Sequence, residues 1–179
     1  MLQRLLLPFE TVAPGIDETI KPGETPLALA RRLALAKARV VAWQHPHSIV
    51  IGADQVLDVA GQAMGKPGSM DRARAQLLAL SGKRVIFHSA LAIVSPRGAL
   101  VSVTDCRAQF RTLSASQIDY YLTQDQPLDT AGSAKAEQLG IALLSELQSD
   151  DPSAIVGLPL IALTRMLTRF GLDPLVRHD

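Results

Sequence analysis

The fold follows from one apolar stretch, which reads Ile49-Val50-Ile51-Gly52-Ala53-Asp54-Gln55-Val56. Its run of β-branched and small residues predicts a strand that is buried on both faces and ends near Asp54. A carboxylate beside so apolar a run is costly to bury unless it is paired, binds a metal or lies exposed at a sheet edge, where sites of α/β proteins collect. Asp54 is therefore either a functional acid or a cap of the next turn. Because side chains alternate along a strand, Gln55 faces the other way.

Helices and further strands alternate on both sides of this stretch. Residues 24–43 predict a helix with Thr25 as N-cap and Pro26 at its first position, and Ser69–Leu80 predict a second helix. Two strands, Val85–Val94 and Leu100–Phe110, are joined by a turn, which indicates a hairpin.

The C-terminal half continues the pattern. Ser114 and Gln117 form a capping box that opens a helix. Residues 130–144 predict a loop and then a strand, and a last helix runs from near Pro159 to Gly171. The predicted fold class is α/β (mixed α+β), with a mixed twisted sheet flanked by helices.

The composition narrows the class of protein. The 179 residues are 47% hydrophobic and 20% charged, which suits one compact unit and excludes a disordered chain or a disulfide-stapled miniprotein. A net charge of +1 without basic runs argues against a nucleic-acid polymer as partner. No apolar run approaches the roughly 20 residues of a membrane span. The single cysteine, Cys106, indicates a reducing compartment, so we expect a cytoplasmic protein.

Several common site motifs are absent from the sequence. It contains no GxxxxGK[ST] loop, no GxGxxG after a strand, no CxxC, no HExxH and no GxSxG. His45, His47 and His88 do not have the spacing of metal ligands. The usual phosphate-loop, dinucleotide, zinc and serine-hydrolase interpretations therefore have no support.

Two lysines are candidates for contacting phosphate. Lys37 lies within the first predicted helix, and Lys66 lies in the loop Met64-Gly65-Lys66-Pro67, which is bounded by Gly and Pro. Such a loop can hold an ammonium group toward a phosphate. The alternative is that both lysines are solvated.

Two other segments carry candidate ligands. Asp17 and Glu18 offer hard oxygen donors for a divalent metal, or form a solvated acidic turn. The loop Ala131–Gly140 carries Lys135 and Glu137 between glycines and could contact a small ligand, although such sequences are also common turns.

Read together, these segments resemble the Maf family of nucleoside triphosphate pyrophosphatases. The matching segments are Ile16–Thr19, Arg32–Ala38, Ile51–Val56, Gly65–Pro67, Leu80–Gly82, Ala131–Ser133 and Gly157–Leu160. Their order and spacing extend through nearly the whole chain. The resemblance implies a fold similar to that of inosine triphosphatases, with two lobes and a central cleft, usually as a homodimer.

The resemblance also implies a reaction and roles for four residues. Such an enzyme is a hydrolase acting on acid anhydrides, and it cleaves a nucleoside triphosphate to the monophosphate and pyrophosphate with a divalent metal, Mg²⁺ or Mn²⁺. Asp54 would be the general base or would orient water and metal, and Glu18 would help Asp54 to hold the metal. Lys37 and Lys66 would neutralise charge that develops on the triphosphate.

Within the family the chain looks most like the branch that hydrolyses 7-methyl-GTP. Gln55 and Glu137 would set base specificity, and in the branch acting on dTTP and UTP the position of Glu137 looks to be a Gln. Guanine presents the adjacent donors N1–H and N2 amino, which suit a carboxylate, and methylation at N7 makes the base cationic. The expected function is removal of 7-methyl-GTP from the nucleotide pool. The alternatives are a nucleotide-binding regulator of cell division (septum inhibition) with little or no turnover, and a purely structural module.

The start of the chain departs from the family pattern. The family opens with a strand and a loop of the type Leu-Ala-Ser-x-Ser-x-x-Arg, whose hydroxyls and Arg are expected to grip phosphate. This chain opens at residues 1–5, which look like the helix after that loop. We therefore expect residues 1–179 to form a single Maf-like domain without the N-terminal strand and phosphate loop.

Overall fold

The structure is a computed structural model that describes residues 1–176. Four α-helices and five β-strands make up its regular elements. They are, in chain order, α1 (Pro26–Gln44), β1 (Val50–Val59), β2 (Gln62–Met64), α2 (Met70–Leu80), β3 (Arg84–Ser95), β4 (Gly98–Phe110), α3 (Ala115–Asp125), β5 (Leu144–Gln148) and α4 (Leu160–Arg169). Short 3₁₀ helices span Leu2–Leu5, Ala131–Ser133, Leu139–Leu143 and Pro152–Val156.

The five strands form one sheet in the order β2-β1-β3-β4-β5. The predicted α/β class is confirmed, but the strand directions differ from a mixed sheet, because all four pairings within residues 1–176 are antiparallel. The reason is that β1 is flanked by its hairpin partner β2 and by β3, and both run against it.

Strand β1 extends further than the sequence pattern predicted. It continues to Val59, so Asp54 lies in the middle of the strand and not at its end, opposite Ala90 of β3. The polar residues beyond Asp54 did not end the strand because its pairing with β3 continues to Asp58. The candidate acid therefore projects from a sheet face.

The local signals for the helices are confirmed. The side chains of Thr25 and Ser69 cap α1 and α2, and both hydrogen bonds of the predicted capping box open α3 at Ser114. The strand expected to end by residue 144 instead begins there, because β5 starts where its pairing with β4 starts. Two short 3₁₀ helices occupy much of residues 131–143. No helix in the part of the chain described is long and apolar enough to cross a membrane.

Helix α1 packs on one face of the sheet, and the other helices pack on the opposite face. Its small residues Ala30, Ala34 and Ala38 are fully buried against β1 and β3. An added Cβ at Gly52 of β1 would overlap the carbonyl oxygen of Ala34 and lie 2.7 Å from the amide nitrogen of Ala38. The backbones of helix and strand therefore approach each other as closely as a residue without a side chain permits.

The opposite face of the sheet is covered by two apolar groups. Helices α2 and α3 pack on one end of β1, β3 and β4 around Leu57, Phe87 and Phe110. Helix α4 packs on the other end over Leu91 and Ile93. The central strands β1 and β3 are thus covered by helices on both faces, whereas β5 is largely exposed. The contacts between α1 and β1 therefore lie inside the fold.

We expect Gly52→Ala to destabilise the protein by about 1–3 kcal/mol or more, because the new methyl group meets the backbone of α1 and not a movable side chain. Urea unfolding followed by circular dichroism measures the change. Gly65→Ala is the matched control, since a Cβ at Gly65 has no neighbour within 4 Å. Equal stability of the Gly52→Ala protein and the parent would show that α1 can move away from β1 at little cost.

Candidate functional site

The candidate site centres on a lysine held between two carboxylates. The Nζ atom of Lys37 lies 2.6 Å from Oδ1 of Asp54 and 2.7 Å from Oε1 of Glu18. The three side chains come from α1, from β1 and from the segment before α1. The structure therefore brings together three of the residues that the sequence singled out, and Lys37 is not a solvated lysine.

The position of Asp54 follows from strand alternation and the packing of α1. Gly52, Asp54 and Val56 all point toward α1, and the missing side chain at Gly52 lets the helix come near enough for Lys37 to reach Asp54. The Asp54 side chain is only 9% exposed, whereas that of Glu18 is 48% exposed. The cluster thus has one buried carboxylate and one that faces solvent.

An arginine of α1 holds the segment that carries Glu18. Arg32 donates hydrogen bonds to both carboxylate oxygens of Glu24, at 2.6 and 2.8 Å, and to the carbonyl oxygen of Thr19 at 2.9 Å. Asp17 accepts hydrogen bonds from the amide and the hydroxyl group of Thr19. Asp17 is thus used within its own turn, and only Glu18 of the acidic pair reaches Lys37.

The three charges change one another's titration. Burial raises the pKa of Asp54, although the ammonium group of Lys37 opposes this shift. The hydrogen bond from Lys37 lowers the pKa of Glu18. Burial disfavours the charged form of Lys37, but its hydrogen bonds to the two carboxylates outweigh this effect and raise its pKa. Lys37 thus stays an ammonium group beside a carboxylate that accepts a proton more readily than an ordinary Asp.

A second lysine acts on this cluster from an exposed loop. Lys66 lies between β2 and α2, and its positive charge adds to that of Lys37 in favouring the ionised forms of Glu18 and Asp54. The hydrogen bond from Lys135, at 3.1 Å, lowers the pKa of Asp129, and the charge of Lys66 acts in the same direction. The charge of Lys66 therefore acts both on the carboxylate cluster and on the segment before Glu137.

The remaining two predicted site residues do not join the cluster. Gln55 points to the opposite face of the sheet, where its amide nitrogen donates to Oγ of Ser89 at 2.8 Å and to the carbonyl oxygens of Ala154 and Ile155 at 2.9 and 3.1 Å. Glu137 is exposed, and its carboxylate takes part in none of the hydrogen bonds found among residues 1–176. Gln55 is thus occupied by contacts within the fold, whereas Glu137 is open to a ligand.

The sequence did not reveal a second buried polar group. Nδ1 of His88 lies 2.8 Å from Oδ1 of Asp105, and Nε2 lies 3.3 Å from Oδ2 of Asp58. These residues come from three neighbouring strands, so only the strand register could have predicted their meeting. His88 is a buried histidine satisfied on both nitrogens.

The chemistry of the donors fits a divalent metal only in part. Glu18 and Asp54 offer two carboxylates, and each has an oxygen within 2.7 Å of Nζ of Lys37. No group of three or more His, Cys, Asp or Glu side chains able to hold a metal occurs in residues 1–176. Because Mg²⁺ is commonly held by one or two carboxylates together with substrate phosphates and water, the pair fits a metal whose other ligands come from a bound phosphate.

Comparison with known proteins finds relatives over nearly the whole chain. The family model described as Maf-like protein matches residues 1–170. Curated relatives of this chain bear the name 7-methyl-GTP pyrophosphatase, and three of them illustrate the similarity. The one from Bordetella pertussis is 58% identical over 180 residues, covering 99% of this chain and 89% of its own. The ones from Polaromonas sp. and Xanthomonas axonopodis pv. citri are 51% and 50% identical, covering 96% of this chain and 79% and 90% of their own.

We expect Lys37→Met to raise the pKa of Asp54 above its already raised value in the parent. The reason is that the variant removes the ammonium group that favours the ionised carboxylate, while burial remains. Carbon-13 NMR of the side-chain carboxyl, followed against pH, measures the midpoint. Arg39→Met is the control, because Arg39 is an exposed cation of α1 outside the cluster. An unchanged Asp54 midpoint in Lys37→Met would contradict the pairing.

Proposed function

The chain belongs to the family of Maf-like proteins, and we propose that it is a nucleoside triphosphate pyrophosphatase that hydrolyses 7-methyl-GTP to 7-methyl-GMP and pyrophosphate. It is thus a hydrolase acting on acid anhydrides. The names of its relatives support 7-methyl-GTP as the substrate, since the similarity extends over nearly the whole chain. The observation that carries the reaction is the cluster of Lys37, Asp54 and Glu18.

The cluster offers a proton acceptor and positive charge side by side. We propose that Asp54 accepts a proton from the water that cleaves the bond between the α- and β-phosphates. Its raised pKa supports this role, because a general base works best when its pKa approaches the working pH. Lys37 donates to Oδ1 of Asp54 and so keeps the carboxylate in one orientation.

Two lysines and a divalent cation would balance the negative charge of the phosphates. The ammonium groups of Lys37 and Lys66 favour the negative charge that gathers on the departing pyrophosphate. We propose that Glu18 and Asp54 hold a divalent cation, Mg²⁺ or Mn²⁺. When bound, this cation would add positive charge at the triphosphate.

Recognition of the base falls to Glu137 in this proposal. Its exposed carboxylate has no competing hydrogen bond among the described residues, so it is free to accept from N1–H and the N2 amino group of 7-methylguanine. The charge of the carboxylate also favours a cationic base. A direct role of Gln55 stays a prediction, because the contacts of its amide nitrogen lie within the fold on the other face of the sheet.

Domain organisation, cellular location and oligomeric state complete the proposal. We propose that the chain works as a single Maf-like domain, which one continuous sheet supports. We also propose a cytoplasmic location, because the only cysteine cannot form an internal disulfide and nucleoside triphosphates are the substrates. That the protein forms a homodimer stays a prediction from the family resemblance.

We expect Asp54→Asn to lower the rate of pyrophosphate release from 7-methyl-GTP by at least about 100-fold, because the amide cannot accept the proton. Steady-state kinetics with Mg²⁺ or Mn²⁺ measure the rate, and circular dichroism checks the fold. Near-parental turnover by a folded Asp54→Asn protein would remove Asp54 from the reaction.

Asp105→Asn is the matched control for this experiment. Asp105 is a carboxylate on the same face of the sheet, but it contacts His88 and not Lys37. Its variant should keep kcat within about threefold of the parent, as expected for a site outside the reacting groups. A parent protein that binds 7-methyl-GTP but releases no pyrophosphate would favour the nucleotide-binding regulator.

We expect Glu137→Gln to lower the selectivity for 7-methyl-GTP over UTP by about 10- to 100-fold, because a donor then faces a donor and the attraction to the cationic base is lost. The ratio of kcat/KM for the two nucleotides measures this selectivity. Glu146→Gln, at an exposed glutamate of β5, should leave the ratio unchanged. Equal selectivity in Glu137→Gln and the parent would rule out base reading by Glu137.

A further inference from the structure

The loop that carries Lys66 and the turn that precedes Glu137 are joined by backbone contacts. The amide of Gly68 donates to the carbonyl oxygen of Leu128 at 3.1 Å, and the amide of Gly132 approaches the carbonyl oxygen of Gly65 at 3.5 Å. The second contact is long for a hydrogen bond. The backbone alone therefore holds the two segments together only loosely at the Gly65 end.

One side chain of α2 closes this junction. Nε2 of Gln76 donates to the carbonyl oxygen of Gly65 at 3.0 Å, and Oε1 of Gln76 accepts from Oγ of Ser133 at 2.7 Å. A carbonyl oxygen can only accept a hydrogen bond, so the NH₂ group of the Gln76 amide must face the carbonyl of Gly65. The amide oxygen of Gln76 then faces the hydroxyl group of Ser133. Ser133 is fully buried, and its hydroxyl group would lack this partner if residue 76 were apolar.

The turn at Ser133 is held firmly on its other sides. Gly132 has a φ of 68°, and a Cβ there would overlap the side chain of Leu57. The amide of Lys135 donates to the hydroxyl oxygen of Tyr121 at 3.0 Å, and the Lys135 side chain pairs with Asp129. The turn is therefore fixed to β1 through Leu57 and to α3 through Tyr121, and Gln76 joins this fixed turn to the loop of Lys66.

We propose that Gln76 is a positioning residue that holds Lys66 and Glu137 in a fixed relation, so that one nucleotide meets the ammonium group with its phosphates and the carboxylate with its base. This inference rests on the proposed function, since it takes Lys66 and Glu137 as contacts of the same nucleotide. Gln76 itself touches neither phosphate nor base in this role. It acts through the carbonyl group of Gly65 and the hydroxyl group of Ser133.

The main test is a double-mutant comparison on pyrophosphate release. We expect Gln76→Leu to lower kcat/KM for 7-methyl-GTP by about 10- to 100-fold, the scale seen when a site is misplaced by about 1 Å. In a Lys66→Ala background the same substitution should cost clearly less, because the misplaced cation is already gone. Equal losses in both backgrounds would overturn the positioning role.

Two further variants test the two hydrogen bonds of the Gln76 amide one at a time. Gln76→Glu keeps an acceptor for Ser133 but sets a carboxylate oxygen against the Gly65 carbonyl, so it should lower kcat/KM for 7-methyl-GTP and UTP alike. Ser133→Ala keeps the Gly65 bond and should lower mainly the selectivity between the two nucleotides. Should Gln76→Leu not fold, Gln76→Glu takes its place in the double-mutant comparison. Identical effects of both variants on both substrates would also overturn the proposal.

A control and a second readout separate this inference from the proposed function. Arg74→Ala removes an exposed ion pair between α2 and Asp119, and it should leave kcat/KM within about twofold of the parent. Hydrogen exchange of the free protein should be faster in Gln76→Leu at residues 65–68 and 130–135. If the parent releases no pyrophosphate from 7-methyl-GTP, the proposed function fails, and exchange in the two loops then decides whether Gln76 holds them. Unchanged exchange at both loops would overturn the inference.

Discussion

The close approach of α1 to β1 over Gly52 is the constraint on which the rest of the site depends. Because a methyl group at this position would meet the helix backbone, the distance between helix and strand is fixed by backbone contact and not by side chains that could repack. Asp54 lies two residues after Gly52 on the same face of β1. The short distance between helix and strand lets its carboxylate meet the ammonium group of Lys37 at 2.6 Å. The buried alanines of α1 serve the same approach, since larger side chains at these positions would lift the helix from the sheet. Packing and electrostatics in this protein are therefore two consequences of one contact.

A buried carboxylate and a lysine do not stabilise a fold merely by pairing. The cost of removing both charges from water offsets much of their attraction, whereas the loss of one partner leaves a charge uncompensated at a cost of about 3–5 kcal/mol. Glu18 eases this situation because it gives the ammonium group of Lys37 a second, more exposed carboxylate. The cluster can thus change partners when a phosphate or a cation binds, without leaving Lys37 unpaired. A site for an anionic substrate gains from such an arrangement, since its charges are held in place before the substrate arrives.

Strand β1 serves as the reference for both halves of the site. Its Gly52 sets the distance to α1 on one face, and its Leu57 packs on the opposite face against the turn at Gly132. The side-chain alternation of a single strand therefore relates the carboxylate cluster to the loops of Lys66 and Glu137. Backbone hydrogen bonds and the side chain of Gln76 hold these loops, while the side chains of Lys66 and Glu137 stay exposed.

The sequence by itself determined the four α-helices, the strands β1, β3 and β4 and the candidate residues, but not β2 or the position of β5. Helix caps at Thr25 and Ser69 and the hairpin of β3 and β4 are local features, so they could be predicted from neighbouring residues. Only the tertiary structure decided which candidates meet. The antiparallel pairing of β1 placed Asp54 in mid-strand, and alternation turned Gln55 to the other face. The bridge made by Gln76 and the contacts of His88 join segments far apart in the chain, and such contacts depend on strand register and helix docking, which no local pattern encodes.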